Sequence, residues 1–205
     1  MLKNIVWLGH DTFRISGSRT IYTDPFQINR KDHADIILIT HEHYDHCSPE
    51  DVGKLKGSET VVVAPPDCAE KLGGSVKTVR PGDRLAINGV EIQAVPAYNT
   101  NKQFHTKDRS WVGYLITMDG QTIYLAGDTD LIPEMSALGP VDVALLPVSG
   151  TYVMTAAEAA EAARIIKPKT AVPMHFGSIV GSSSDAAQFA ALLKGSVDVV
   201  ILPRE

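Results

Sequence analysis

The chain has 205 residues, of which 44% are hydrophobic and 21% charged, and its formal net charge is −5. This composition excludes a disordered chain, a collagen-like chain and a coiled coil, because enough apolar surface is present to offset the entropy of folding. The acidic balance argues against a dedicated nucleic-acid-binding protein, since such a protein usually carries a basic face. The length predicts a single domain over residues 1–205.

The ends of the chain and its cysteines indicate a cytoplasmic protein. The N-terminal apolar segment is too short for a signal-peptide core, and no apolar run approaches the roughly 20 residues of a membrane span. Cys47 and Cys68 lie far apart without CxxC spacing. Two such cysteines fit free thiols in a reducing compartment.

The predicted elements alternate between short strands and helices. Strands are expected at residues 5–8, 12–16, 21–23, 35–40, 60–64, 76–79, 84–87, 91–96, 112–118, 122–125, 141–147, 170–174 and 197–202. Helices are expected at residues 48–55, 66–72, 155–167 and 185–194. Ser48 and Pro49 form the predicted start of the first helix, and a Thr155-x-x-Glu158 capping box that of the third. This order fits two sheets covered by helices.

A dense group of potential metal ligands follows the predicted strand at residues 35–40. Residues 41–46 read His-Glu-His-Tyr-Asp-His. In extended backbone, alternate side chains point the same way, so His41, His43 and Asp45 can converge on one side. His46 can join them where the chain turns toward the helix beginning at Ser48. This arrangement is typical of a metal site, and its split form would suit two adjacent ions.

Two further polar residues directly follow predicted strands. Asp128 comes after the strand at residues 122–125, and His175 follows the strand at residues 170–174. Because functional sites of α/β sheets form beyond the carboxyl ends of strands, we expect both to share one edge with the motif at residues 41–46.

The sequence resembles the metallo-β-lactamase-fold hydrolase superfamily. The superfamily motif His-x-His-x-Asp-His matches completely at residues 41–46, and the surroundings are similar to the ascorbate-6-phosphate lactonase-like branch. The segments that carry this similarity are Leu8-Gly9-His10, Thr23-Asp24-Pro25-Phe26, Ala126-Gly127-Asp128-Thr129, Leu146-Pro147-Val148 and Pro173-Met174-His175-Phe176-Gly177. The resemblance implies an α/β (α+β) fold, specifically a four-layer αββα sandwich of two mixed sheets with helices on the outer faces.

The resemblance also implies a ligand set for two ions. His41 and His43 would bind the first ion. Asp45, His46 and His175 would bind the second. Asp128 would bridge both ions, and Asp24 would orient a ligand imidazole through its other ring nitrogen.

One position departs from the superfamily pattern. The superfamily places a third histidine for the first ion after a later strand, and Asn99 stands near that position here. His105 follows six residues on and is the expected ligand, because an amide oxygen is a weaker donor for a borderline-soft ion. If His105 does not bind, the first site is weak or Asn99 contributes.

The ligand set predicts a metal-dependent hydrolase. Five imidazoles and two carboxylates fit two Zn²⁺ ions, with Mn²⁺ or Fe²⁺ as alternatives. Two ions would hold a water and lower its pKa from 15.7 toward about 7. Asp45 and Asp128 are the expected catalytic carboxylates, with Asp45 also able to accept a proton. Cys47 is expected to be a packing residue.

The loop at residues 99–110 is the predicted specificity element. Lys102, Lys107 and Arg109 cluster there, which favours a small anionic ester, lactone or phosphodiester. Tyr98, Asn99 and Lys102 are the expected substrate-binding residues. The alternative is a solvated charged loop. Candidate aromatic walls of the pocket are Tyr98, Phe104, Trp111 and Tyr152, with packing in the core as the alternative for each.

Three other functions compete with hydrolysis of a small molecule. The iron-dependent oxygen or NO reductases of the superfamily carry Glu where His43 stands and an added flavodoxin domain, and this chain has neither. Its large nucleases carry an inserted domain or an RNA-binding arm, for which 205 residues leave no room. A non-catalytic metal-binding or regulatory protein stays open because of Asn99. The oligomeric state is also open, and a homo-oligomer is compatible with the sequence.

Overall fold

The computed structural model describes residues 2–29 and 32–205. Its first sheet has six strands in the order of the chain, namely β1 (Ile5–Gly9), β2 (Thr12–Ser16), β3 (Thr20–Thr23), β4 (Ala34–Leu38), β5 (Lys56–Ala64) and β6 (Val76–Thr78). Its second sheet has seven, namely β7 (Arg84–Ile87), β8 (Val90–Pro96), β9 (Val112–Met118), β10 (Gln121–Leu125), β11 (Val143–Pro147), β12 (Thr170–Met174) and β13 (Asp198–Val199).

Both sheets are mixed. In the first sheet, β2 pairs antiparallel with both β1 and β3, whereas β3 to β6 run parallel. In the second sheet, β7 to β10 are antiparallel, whereas β10 to β13 run parallel. Each sheet therefore has a parallel half whose carboxyl ends share one edge.

The helices α1 (Pro49–Leu55) and α2 (Pro66–Leu72) cover the outer face of the first sheet. Side chains of β4 alternate in a way that shows this layering. Ile36 and Leu38 belong to the large core that the two sheets share, whereas Ile37 packs in a separate core with Leu55 of α1 and Cys68 of α2. Since successive strand residues point to opposite faces, β4 separates two apolar layers.

The helices α3 (Ala156–Ile166) and α4 (Ser183–Leu193) pack on the outer face of the second sheet. Ala159, Ala163 and Phe189 from these helices are fully buried against this sheet, in one apolar cluster with Leu145 of β11 and Val172 of β12. The order of layers is therefore helix, sheet, sheet, helix. The predicted αββα sandwich is confirmed. Within the described residues, no helix has the length and apolar character needed to cross a bilayer.

Local capping follows the predicted chemistry in α1 and α3. The Ser48 hydroxyl accepts the Asp51 amide hydrogen, and Thr155 and Glu158 form a reciprocal capping box. A second capping box, formed by Ser182 and Asp185, starts α4 two residues before the predicted start. Ser-x-x-Asp is a shorter version of the Ser-x-x-Glu pattern.

The last predicted strand, residues 197–202, is shorter in the structure, where β13 spans Asp198–Val199. Val200 donates its amide hydrogen to the Ala171 carbonyl at 3.0 Å. Pro173 is the next residue of β12 on that side, and it has no amide hydrogen to donate. The ladder therefore ends there.

Candidate metal centre

Strand ends from both sheets deliver the polar residues of the centre. Asp24 follows β3, His41 lies just beyond β4, Asp128 follows β10 and His175 follows β12. Asp24 and His175 adopt φ values of +36° and +58°, a left-handed backbone that turns each side chain out of the strand direction. Gly127 makes the corresponding turn before Asp128 with φ +65°. A Cβ there would lie 3.1 Å from the Thr40 methyl carbon, so the close approach requires glycine.

The first cluster consists of His41, His43 and His105, whose nitrogens converge on one point. His43 Nδ1 lies 3.1 Å from His41 Nε2 and 3.2 Å from His105 Nε2. In a tetrahedral zinc site with bonds of 2.0–2.1 Å, two ligand nitrogens lie roughly 3.3 Å apart. The spacing therefore fits three ligands of one ion.

The second cluster consists of Asp45, His46 and His175, together with His10, and their ligand atoms lie within 4.8 Å of one another. Asp45 Oδ2 lies 3.7 Å from His46 Nε2 and 3.0 Å from His10 Nε2. His46 reaches this side because the chain turns, with the amide of His46 donating to the His43 carbonyl at 3.0 Å. This turn is the one that the sequence requires for His46 to join the motif.

Asp128 lies between the two clusters and is 4% exposed. Its Oδ2 lies 3.2 Å from His105 Nε2 and 3.2 Å from His175 Nε2. Its Oδ1 lies 3.5 Å from His46 Nε2, and both of these atoms are buried without a hydrogen-bond partner. Orphaned buried polar atoms are costly, and a cation between them would satisfy both. The donor set therefore fits divalent metal ions.

The outer ring nitrogen of four of these histidines is held by a neighbouring oxygen, which fixes the ring. His41 Nδ1 lies 2.9 Å from Thr40 Oγ1, and His175 Nδ1 lies 3.0 Å from Ser149 Oγ. The same arrangement holds for His46 Nδ1 and Asp24 Oδ2 at 2.9 Å, and for His105 Nδ1 and Asn99 Oδ1 at 3.1 Å. Such contacts leave each Nε2 lone pair free for a metal ion.

Asp24, which the resemblance implies to orient a ligand imidazole, contacts the outer nitrogen of His46. Besides His46, it accepts the amide hydrogen of Thr40 at 2.8 Å on Oδ1 and the hydroxyl hydrogen of Thr40 at 2.6 Å on Oδ2. Because the same hydroxyl contacts His41, Asp24 orients rings of both clusters.

His105 lies in the first cluster, whereas Asn99 lies behind the His105 ring. The Asn99 side-chain oxygen accepts from the His105 amide and faces its Nδ1, both at 3.1 Å, while its nitrogen donates to Asp130 and to the Tyr152 carbonyl. All polar atoms of Asn99 are used behind the His105 ring. The ring nitrogen of His105, and not the amide of Asn99, therefore faces Asp128 and His43.

Replacing Asn99 by alanine is expected to weaken metal binding by the first cluster about 10- to 100-fold, the usual effect of losing an outer hydrogen-bond partner. The reason is that the His105 ring would lose the acceptor that fixes its orientation. A competition titration with a chromophoric chelator measures this affinity. Asn101→Ala, in the same loop, is the matched control, and equal affinities for both variants would contradict the assignment.

The two clusters differ in their protonation without metal. Burial lowers the pKa of His41 well below its ordinary value and that of His43 to about 4. Burial also disfavours charge on His46 and His175, but Asp128 and the neighbouring carboxylates together outweigh it, and the pKa of both is raised. At neutral pH, His41 and His43 thus have free lone pairs, whereas a proton occupies His46.

Metal uptake is therefore expected to release protons from the second cluster and none from His41 or His43. In a zinc titration at about pH 6, an indicator dye measures the protons released by each equivalent of metal. The equivalent that fills the second cluster should release about one to two protons. Water bound to the metal adds few protons at this pH, because its pKa lies near 7. Since protons compete with metal for His46 and His175, the affinity of this cluster should fall as the pH falls. Equal release by both equivalents would contradict this difference.

His10 and Asp11 are the two site residues that the ligand prediction missed. Burial lowers the pKa of His10 to about 4, and this neutral ring lies against Asp45 and, with ring centroids 4.2 Å apart, against His175. Asp11 is fully buried, its two oxygens have no hydrogen-bond partner, and burial raises its pKa to about 8. His10 follows β1 at a φ of +51°, so its signal is the same strand-end placement as that of Asp128 and His175.

A cavity of about 250 Å³ opens onto the centre, and it is lined by His43, Tyr44, Asp45, Phe104, His105, Asp128, Tyr152 and Ile179. A larger space of about 590 Å³ lies on the outer face of β7 to β10. No histidine lines the larger space among the described residues. We therefore place the reaction site in the smaller cavity, which shares side chains with both clusters.

The residues expected to bind substrate do not line this cavity. Tyr98 donates its hydroxyl hydrogen to Glu134 at 2.9 Å, and Lys102 forms an ion pair with Asp130. Asn99 is 7% exposed and lies behind His105. The physical reason is that the polar groups of Tyr98, Asn99 and Lys102 have protein partners outside the cavity, namely Glu134, His105 and Asp130.

The chain is similar in sequence and in structure to known proteins of one superfamily. The profile of the beta-lactamase superfamily domain matches residues 4–175. A Pyrococcus abyssi protein named a metal-dependent hydrolase is 34% identical, over 98% of this chain and 96% of that protein. The crystal structure of a Parabacteroides distasonis protein designated a metal-dependent hydrolase superposes with a TM-score of 0.86 at 36% identity, covering 97% of this chain and 91% of that one.

A more distant structure shows the same fold. Igni18, a metallo hydrolase from Ignicoccus hospitalis, has a TM-score of 0.79 at 23% identity and covers 98% of this chain and 94% of its own.

Proposed function

We propose the following function for this chain, which belongs to the metallo-β-lactamase superfamily and is a metal-dependent hydrolase. The proposed reaction is hydrolysis of a small ester, lactone or phosphodiester at a centre of two divalent ions. The observation that carries the proposal is the position of Asp128, whose carboxylate faces both clusters at 3.2–3.5 Å.

Zinc is the proposed metal, because imidazole and carboxylate donors in near-tetrahedral spacing suit it, and Mn²⁺ or Fe²⁺ could replace it in the same donor set. His41, His43 and His105 would hold one ion, and Asp45, His46 and His175 the other. When bound, the ions supply a hydroxide at neutral pH and polarise the scissile carbonyl or phosphoryl oxygen.

The residues around the ions would control protons and geometry. Burial disfavours an ionised Asp45, but the hydrogen bond from His10 and the charge of His46 together more than compensate and lower the pKa of Asp45 to about 2. Asp45 is therefore an ionised base at neutral pH, 14% exposed to the cavity, and it would accept the proton of the attacking water. Asp128 would fix the separation of the two ions, and Asp24, Thr40, Asn99 and Ser149 would keep the imidazoles in place.

The function is tested by comparing chelator-stripped protein with protein reloaded with zinc, manganese or iron, on a panel of methyl esters, lactones, thioesters and phosphodiesters. The proposal expects turnover of at least one panel member that is lost on stripping and restored on reloading. Protein that binds two ions and turns over no member would support the regulatory alternative instead.

A further inference from the structure

We propose that the mouth of the metal cavity is a binding subsite for an aromatic or other apolar group of the substrate, attached to the scissile carbonyl. This inference rests on the proposed hydrolytic function and adds its substrate class. The subsite consists of Tyr44, Phe104, Tyr152 and Ile179, which we call the apolar collar.

The collar gathers exposed apolar side chains at one place. Seven large apolar side chains of the described residues are exposed, and four of them, with exposed fractions of 38–64%, line this one cavity. The four come from separate parts of the chain, namely the metal motif, the loop after β8, the segment after β11 and the segment after β12. Exposed apolar residues scattered singly need no explanation, but a patch next to a reactive centre is typical of a binding site.

The collar is held in place rather than loosely exposed. Phe104 and Tyr152 pack edge to face, with ring centroids 4.5 Å apart. Tyr152 has φ +69°, a backbone conformation that a bulky residue rarely adopts. The Asn99 amide donates to the Tyr152 carbonyl at 2.8 Å, and the same side chain orients His105. One residue thus fixes both a cavity wall and a metal-facing imidazole.

The charges of the neighbouring loop point away from an anionic substrate. Lys102 pairs with Asp130, Lys107 lies 3.0 Å from Glu134, and Arg109 lies 3.6 Å from Glu42. No lysine or arginine lines the cavity within the described chain. The cationic groups that predicted an anionic substrate are therefore paired elsewhere, and the walls of the cavity are apolar.

The floor and the walls of the cavity together define the substrate. The floor, formed by His43, Asp45, His105 and Asp128, would face a polar carbonyl through the bound ions, while the collar would contact a hydrocarbon group. A volume of about 250 Å³ lies just below the roughly 300 Å³ at which pockets for drug-sized ligands begin, so the substrate is small. In the reaction, the water oxygen bonds to the carbonyl carbon, the ester C–O bond breaks, the alcohol leaves with a proton, and a carboxylate and a proton remain.

The test uses the metal-loaded protein and three methyl esters in a pH-stat, each rate being divided by its hydroxide-catalysed rate. We expect kcat/KM for methyl phenylacetate to exceed that for methyl acetate and for the anion monomethyl succinate by at least about tenfold, since burying an aromatic group contributes more than the 1.4 kcal/mol of a tenfold change. Phe104→Ala should remove most of this preference, because it lowers kcat/KM for methyl phenylacetate more than kcat/KM for methyl acetate. Ile165→Ala, which removes an exposed apolar side chain of α3 that does not line the cavity, is the matched control and should leave the relative rates of the three esters unchanged.

A binding measurement separates this inference from the proposed function. Calorimetry compares phenylacetohydroxamate with acetohydroxamate, and the aromatic compound should bind at least about tenfold more tightly to wild type but not to Phe104→Ala. Equal binding, or a preference for monomethyl succinate, would overturn the collar while leaving hydrolysis intact. Tighter aromatic binding without turnover of any ester would instead overturn the hydrolytic function and retain the subsite.

Discussion

Replacing Asp128 by asparagine is expected to reduce metal content to one ion or fewer per chain and to lower kcat by at least about a thousandfold. The reason is that its two carboxylate oxygens are the atoms that face both clusters, and a neutral amide is a weaker ligand for a hard or borderline cation. Loss of a properly placed ion removes both the activated water and the polarisation of the substrate. Elemental analysis of the purified, reloaded variant and an ester assay measure the two effects.

Asp119→Asn is the matched control for this variant. Asp119 is a carboxylate at the exposed turn before β10, where it accepts the Ser18 amide hydrogen at 2.7 Å, at the opposite end of this strand from Asp128. It should leave metal content and kcat unchanged. An Asp128→Asn protein that keeps two ions and activity within tenfold of wild type would show that Asp128 does not join the clusters.

Replacing Asp24 by alanine is expected to lower metal affinity about 10- to 100-fold and the free energy of unfolding by about 3 kcal/mol. Three buried donors, the Thr40 amide, the Thr40 hydroxyl and His46 Nδ1, would lose their acceptor. Urea denaturation of the metal-free proteins gives the stability difference, and chelator competition gives the affinity.

Asp24→Asn separates the lost acceptor from the backbone effect. Asp24 has φ +36°, and asparagine tolerates this region better than alanine does. The asparagine variant keeps one acceptor oxygen, so its losses should lie between those of wild type and Asp24→Ala. A metal affinity equal to that of wild type in both variants would refute the role of Asp24 in orienting the imidazoles.

Local patterns in the sequence predict the strands, the helices and most of the polar cluster, whereas the four-layer arrangement follows from the resemblance to the superfamily. An unbroken apolar run such as β4 is typical of a strand buried on both faces, and residues that directly follow strands reach the same sheet edge. His41, Asp128 and His175 come together by this rule. The capping of α1 and α3 depends on residues three positions apart, and it too is visible without a structure.

Contacts of the loop at residues 99–110 could not be predicted in the same way. The backbone amide of Asn99 donates to the His105 backbone carbonyl at 2.6 Å, which closes the loop and places the Asn99 side chain behind the His105 ring. Nothing in the spacing of Asn99 and His105 specifies this closure. The partners of Lys102 and Lys107 are Asp130 and Glu134, which lie after β10, so the loop charges resemble a free cationic cluster until these tertiary contacts are known.

Metal content is the most direct test of the central claim, which is that the two clusters joined by Asp128 hold a pair of ions. Protein loaded with zinc and freed of excess metal should contain two ions per chain by elemental analysis, and His105→Ala should contain about one. Wild-type protein that retains fewer than one ion per chain after loading with zinc, manganese or iron would contradict the account.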